Sequence, residues 1–278
     1  MSIMYGNLYL VSTPIGNLED LTFRAVKVLR SVDIILAESI ERTKKLLSHY
    51  DIDVKVISFN KDNERRKIKN AVACLKKSKN IALVSDAGTP CVSDPGFHLL
   101  SNLDEEIKII PIPGASSITC ALSVSKIPMN GFTFLGFLPK KENDRKNKLR
   151  QAYSTQLPLC IFESKHRLLD LLGDISSIFG EDTKVGLFRE MTKIHETITH
   201  KSVNEHISDS KKNTPKGEYV VIVAPNEHVK LEKPYISIIK RLILKSFSNK
   251  DIVDLVKEIS TDSKKEIYKT VLSIRQDE

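Results

Sequence analysis

The chain has 278 residues, 41% hydrophobic and 28% charged, which leaves room for two domains of ordinary size and a small appendage. Lys and Arg number 43 against 35 Asp and Glu, a formal charge of +8 that favours polyanionic partners such as RNA or an anionic membrane surface. Trp is absent and aromatics are 6%, so extensive stacking platforms are excluded. Cys74, Cys91, Cys120 and Cys160 are too dispersed for a sequence-local zinc site or a disulfide framework, and no metal is expected. No apolar run reaches the roughly 20 residues of a membrane helix. Residues Met1–Asn7 show no basic leader, so a cytoplasmic protein without a signal peptide is expected.

Leu8–Val11 reads as a strand ending in the turn Ser12-Thr13-Pro14-Ile15-Gly16-Asn17. Asn17 is placed to cap a helix, with Asp20 three residues on, and Leu21, Ala25, Val28 and Leu29 recur at helical spacing. Strands are predicted at Ile34–Ala37, Ile81–Ser85 and Ile107–Ile112, the last followed by a small-residue helix from Ala115 to Ser125. Pro128–Gly131 marks a boundary. Beyond it come strands Phe132–Phe137 and Leu159–Phe162, a helix Arg167–Ile178, and strands Val185–Phe188, Thr197–Lys201 and Tyr219–Ala224.

Strand–helix alternation implies α/β layers with largely parallel pairing, and the sparser helices of the later half imply a mixed second sheet. The tail gives three short helices, Ile236–Phe247, Lys250–Ile259 capped by Ser248, and Lys264–Ile274 capped by Ser263, the pattern of a helix-turn-helix unit. The expected division is 1–127, an N-terminal α/β domain, 128–230, a C-terminal α/β domain, and 231–278, the tail.

Three Gly-bearing loops follow predicted strands: Thr13–Asn17, Ser85–Pro90 and Pro113–Ser117. In open α/β sheets ligands sit at the carboxyl ends of strands, and Gly admits close backbone approach. No P-loop and no G-x-G-x-x-G dinucleotide fingerprint is present.

Ser85-Asp86-Ala87-Gly88-Thr89-Pro90, Ser93-Asp94-Pro95-Gly96 and Pro113-Gly114-Ala115-Ser116 resemble the small-subunit rRNA cytidine 2′-O-methyltransferases of the tetrapyrrole methylase superfamily. Further matches are Thr13 through Asp20, Gly136-Phe137-Leu138-Pro139, Arg189-Glu190-Met191-Thr192-Lys193 and Lys216-Gly217-Glu218, so the resemblance spans about residues 7–225. The tail is similar, more loosely, to a small helical domain of some members.

The resemblance implies two α/β domains with an S-adenosylmethionine cleft between them, in a homodimer. It also implies a small ribosomal subunit RNA as substrate. By that carry-over Pro14, Gly16, Asp86, Gly88, Thr89, Ser116, Ser117 and Phe162 line the donor, Asp86 offsetting its positive charge. This chain departs from the family's Ala-Glu-Asp-Thr-Arg at Ser39, Ile40 and Glu41, with Arg42 one place on. It also has Lys165 where the family has Pro.

Methyl transfer from a sulfonium needs alignment of acceptor oxygen, methyl and sulfur, worth on the order of 7–11 kcal/mol. It also needs a base for the hydroxyl proton. Glu38, Glu19 and Lys193 are the leading candidates, with Asp20 and Glu190 beside them. Lys140, Lys141, Arg145, Lys146, Lys148 and Arg150 form a basic segment read as an RNA-facing flap, joined by Arg167 and Arg189. A second basic cluster runs from Lys61 to Lys69. His166 is read as a helix cap. Two other functions fit the same fold: methylation of a small tetrapyrrole, and a non-catalytic RNA-binding relative.

Overall fold

A computed structural model describes residues 5–225, 235–260 and 262–276. The chain divides into two compact units, residues 1–225 and 226–278.

The first unit opens with β1 (Leu8–Val11), α1 (Phe23–Ser31), β2 (Ile34–Ala37), α2 (Ile40–His49) and β3 (Lys55–Ser58). It continues through α3 (Glu64–Lys76), β4 (Ile81–Val84), α4 (Phe97–Leu100), β5 (Ile109–Ile112) and α5 (Ser117–Ser123). These strands form an all-parallel sheet in the order β3-β2-β4-β1-β5. Helices cover both faces, so the central strands Ile34–Ala37 and Ile81–Val84 are apolar and buried throughout. The period-two alternation sorts them. Val11, Ile35, Ala37, Ala82 and Val84 pack with Leu29 and Leu47 on one face. Leu8, Ile34, Leu36, Ile81 and Leu83 pack with Ile68 and Leu75 on the other.

The helix expected to start at Asn17 starts later. Asn17 caps only a short 3₁₀ turn, Leu18–Asp20, and Thr22 caps α1 by accepting the Ala25 N–H. The Lys61–Lys69 cluster lies mostly on α3, where Lys67 Nζ donates to Ser58 O.

The second sheet is mixed, as the sequence suggests. Its elements are β6 (Thr133–Phe137), α6 (Glu142–Tyr153), β7 (Leu159–Ser164), α7 (Leu168–Phe179), β8 (Lys184–Arg189), β9 (Thr197–Ser202), α8 (Val203–Lys212) and β10 (Glu218–Val223). The strand order is β6-β7-β10-β8-β9, and only β6 and β7 run parallel. One face packs on α6 and α7 through Leu149, Leu171 and Ile175. On the other face Cys160, Phe188, Val220 and Ile222 pack against Ile15 and Ala121, which belong to the first sheet's half. That shared cluster makes residues 1–225 one unit. The boundary expected between 127 and 128 falls between α5 and β6.

The basic segment after Pro139 is the helix α6. Arg145 is not offered to solvent. It is 5% exposed, its Nε donates to Asp174 Oδ2 at 2.5 Å, and its Nη1 donates to Lys140 O. Lys146 is likewise drawn to Glu142 and Asp174. The expectation that Arg145 contacts RNA is therefore corrected, because an amphipathic helix turned this residue inward to a buried carboxylate.

The second unit holds α9 (Ile236–Leu244), α10 (Asn249–Ile259) and α11 (Lys264–Gln276) around Ile239, Ile252, Val256, Ile267 and Val271. Ser248 caps α10 by accepting the Asp251 N–H, and Ser263 accepts the Glu266 N–H at the start of α11. The first tail helix ends three residues earlier than expected, where Ser246 takes a φ of 61°. The expected boundary at residue 230 lies outside the described residues.

Candidate active site

The loops after β1, β2, β4 and β5 face the second sheet across a cleft of about 620 Å³. Its walls are built by backbone zipping. Thr13 N–H donates to Gly88 O at 2.9 Å and Gly88 N–H donates back to Thr13 O at 3.0 Å. The hydroxyls of Ser12 and Thr89 meet at 2.9 Å. From the opposite side Gly16 presses on the turn after β8, where an added Cβ would fall 2.4 Å from Lys193 Cγ. The two halves of the cleft are thus joined at Gly16 without room for a side chain.

Asp86 is the best-anchored carboxylate. Ser39 N–H donates to its Oδ1 at 2.9 Å, and Arg42 Nη1 lies 3.3 Å from its Oδ2. Its own N–H donates to Glu38 at 3.4 Å. Ser39 caps α2, so the loop that departs from the family pattern still presents a helix start to Asp86. Arg42, one position later, supplies the cation.

Glu163 is 1% exposed and lines the same cleft. Burial raises its carboxyl above the usual range, against the Ser164 N–H and Arg167. Arg167 lies 3.4 Å from Glu163 Oε2 and donates to the carbonyls of Leu138 and Pro139. Phe162 stacks edge-on with Phe134 at 5.1 Å and tilts against Phe137 at 5.5 Å.

Pro14, Gly16, Asp86, Gly88, Thr89, Ser116, Ser117 and Phe162 all line the cleft. Of the expected bases, Glu38 and Lys193 line it, whereas Glu19 sits exposed on the 3₁₀ turn and is not among the cleft walls. Lys193 is unsuited to accept a proton. Burial alone would lower its pKa, but Glu218 (3.0 Å) and Glu190 (3.1 Å) outweigh it and hold the ammonium charged. Glu190 is fixed in turn: burial opposes its charge, yet the Glu218 N–H and Lys193 keep its carboxyl below the ordinary value.

Lys140, Lys141, Arg167 and Arg189 lie outside the cleft walls. Lys140 and Lys141 are exposed at the start of α6. Arg189 donates to Lys216 O at 2.7 Å and borders a second hollow of about 810 Å³ with Lys212, Lys216 and Thr199. Tyr219 lines both cavities, and the three Gly-bearing loops after β1, β4 and β5 line only the smaller one.

Residues 7–207 match the family described as Tetrapyrrole (Corrin/Porphyrin) Methylases. The chain belongs to that family. It is 39% identical over 274 residues to the ribosomal RNA small subunit methyltransferase I of Halalkalibacterium halodurans, covering 95% of this chain and 93% of that one. It is 44% identical over 223 residues to the protein of the same name from Thermotoga maritima, covering 80% of this chain and all of that one.

Among solved structures, a cobalt precorrin-4 methyltransferase aligns with a TM-score of 0.61 at 15% identity, over 78% of this chain and 94% of that one. A diphthine synthase aligns at 0.58 and 16%, over 79% and 90%. At such identities these two neighbours speak for the fold alone. The tetrapyrrole methylase fold and the methyltransferase class are thereby fixed, and the family's methyl donor is S-adenosylmethionine.

The cleft fits that donor. The carboxylates of Glu38, Asp86 and Asp94 stand beside apolar Ile118, Phe162 and Val220 in one wall set. A ligand carrying positive charge and a flat ring meets both chemistries there. Among the described residues no group of three or more His, Cys, Asp and Glu is arranged to hold a metal, and no helix is long and apolar enough to cross a membrane.

Arg42, one place on from the family's arginine, does reach the cleft carboxylate Asp86. Two contributors carry no signal in the sequence. Glu163 has no local pattern that marks a site. Asp94 lay inside a quoted motif, yet nothing in its spacing says that it turns into the cleft.

Proposed function

We propose that this protein transfers the methyl group of S-adenosylmethionine to the ribose 2′-hydroxyl of a cytidine in small-subunit ribosomal RNA. The observation that carries the reading is the 39% identity over 95% of the chain to a ribosomal RNA small subunit methyltransferase I, joined to a cleft lined by the matching loops. When bound, the donor supplies an electrophilic methyl on a sulfonium. This chain's residues supply the rest. Asp86, held by Ser39 and Arg42, offsets the positive charge. Gly88 and Thr89 bring backbone close to the ligand, and Pro14, Gly16, Ser116 and Ser117 complete the same wall from the neighbouring loops. Phe162 gives an apolar surface for the adenine.

The RNA path is read from charge. Lys140 and Lys141 are exposed cations beside the Leu138–Pro139 segment that Arg167 fixes. The hollow bordered by Arg189, Lys212 and Lys216 shares Tyr219 with the cleft lining, and its cations suit phosphates of the substrate RNA. The functional organisation follows the two α/β halves, 1–127 and 128–230, with the tail as an added docking element for a large substrate. A cytoplasmic homodimer acting on assembled subunits completes the reading.

A competition experiment tests it. Labelled methyl transfer to small subunits lacking the mark is expected, unaffected by added tetrapyrrole. Preferential labelling of the tetrapyrrole would replace the reading with small-molecule methylation.

A further inference from the structure

The loop joining β4 to α4 is held in a conformation that the chain alone resists. Cys91 and Ser93 have φ of 69° and 67°. Such left-handed backbone persists at non-glycine residues only where the surroundings over-determine it, and it clusters at functional sites. The surroundings here are explicit. Glu64, 5% exposed, receives the N–H groups of Gly96 (3.0 Å), His98 (3.1 Å) and Leu99 (3.3 Å) on one carboxylate oxygen. Lys61 Nζ donates to Ser93 O at 3.1 Å. Ser93 Oγ sits 2.9 Å from where a Cβ on Gly136 would be, so the loop also abuts β6 in the second sheet. What this clamp presents to the cleft is Asp94.

Two of the other cleft carboxylates are held by several partners: Asp86 by Ser39 and Arg42, and Glu190 by Lys193 and the Glu218 N–H. Glu38 receives only the Asp86 N–H at 3.4 Å, and Glu163 is bonded by the Ser164 N–H at Oε1 while its Oε2 accepts no hydrogen bond. Asp94 lines the cleft with the Ser85 hydroxyl and the Lys61 ammonium near it, each favouring its charged form.

We infer that Asp94 is the proton acceptor for the hydroxyl methylated in this cleft. The inference rests on the proposed function. In the step, the ribose O2′ forms its bond to the methyl carbon while the carbon–sulfur bond breaks and sulfur keeps that electron pair. The hydroxyl proton passes to the Asp94 carboxylate, and water removes it after product leaves. The titration of the group agrees. Burial first, then the carboxylates of Glu38 and Asp86, push Asp94 up to about 6, with Lys61 and the Ser85 hydroxyl opposing. A base is most effective with a pKa near the operating pH.

The test is Asp94→Asn, which keeps the side chain's shape. Three readouts are needed: single-turnover methyl transfer, calorimetry of S-adenosylmethionine binding, and a carbon-13 carboxyl titration in which the Asp94 signal is the one missing from the variant. The expected result is a loss of at least about 100-fold in turnover. Donor affinity should change less than about tenfold. In the unaltered protein the carboxyl midpoint should lie near 6, matched by the acid limb of the rate profile. A variant that keeps more than about a tenth of the turnover overturns the inference. So does a carboxyl midpoint below about 5. Absence of transfer by the unaltered protein counts against the rRNA reading, and the carboxyl titration then decides Asp94 by itself.

Discussion

Arg42 Nη1 lies 3.3 Å from Asp86 Oδ2, on the helix whose first residues break the family's Asp-Thr-Arg pattern. The guanidinium arrives from one position further along α2 than the pattern places its arginine, and it reaches a carboxylate that Ser39 N–H already holds. A charge reversal at Glu41 is harmless to the cleft for a plain reason: Glu41 points to Lys45, which bonds it at 2.9 Å on the exposed side of the helix.

The two partners are unequal, which gives the first prediction. Arg42 is 67% exposed, and exposed ion pairs contribute roughly 0–1 kcal/mol. Arg42→Ala should therefore weaken donor binding by less than about fivefold. Asp86→Ala removes the anion that faces the donor and frees the Ser39 N–H, and a loss of about tenfold to a hundredfold is expected. Calorimetry with S-adenosylmethionine reads both.

Arg145 and Asp174 are each 6% exposed at the side chain. Removing one partner of a buried ion pair costs about 3–5 kcal/mol because the other charge is left uncompensated. Arg145→Ala should lose that much stability in denaturant unfolding. The double change Arg145→Met with Asp174→Leu should recover most of it.

The carboxyl of Asp94 carries a sign that separates function from stability. Its folded value of about 6 exceeds the ordinary 3.8, so the native state binds the extra proton between those values. Stability attached to this group is present at acid pH and is lost as pH rises through that window. Asp94→Asn should then stabilise the protein at neutral pH, by about 1 kcal/mol after discounting for partial exposure. Calorimetric melting should rise by roughly 2–4 °C. Glu38→Gln removes one cause of the raised value and should shift the acid limb of the rate profile to lower pH.

Lys140 and Lys141 face solvent, and their contribution to RNA binding should be electrostatic. Alanine at both should weaken binding to all RNA sequences alike. The slope of log affinity against log salt should fall by about one for each phosphate no longer neutralised. An unchanged slope assigns these lysines to bulk solvent.

Much of the fold was legible because its signals are local. Ile34–Ala37 and Ile81–Val84 are apolar runs buried on both faces, and the Gly-bearing loops follow such runs directly. β3 was missed because Lys55–Ser58 is an edge strand with only partial burial. Helix α8 was missed although Ser202 and Glu205 form a capping box, since its interior is mostly polar. The lining of the cleft could be named from the loops. The roles of Lys193, Arg145 and Asp94 could not, because each depends on partners 25 or more residues away or on burial: Glu218, Asp174, and the pairing of Glu38 with Asp86. Charge in a sequence says nothing about whether the fold will turn it inward.

The most direct test of the central claim is nucleoside analysis of small-subunit RNA after incubation with this protein and S-adenosylmethionine. The account predicts one new 2′-O-methylcytidine per subunit, absent with Asp86→Ala. Methyl appearing on a base, or no modified nucleoside from protein that binds the donor, would contradict it.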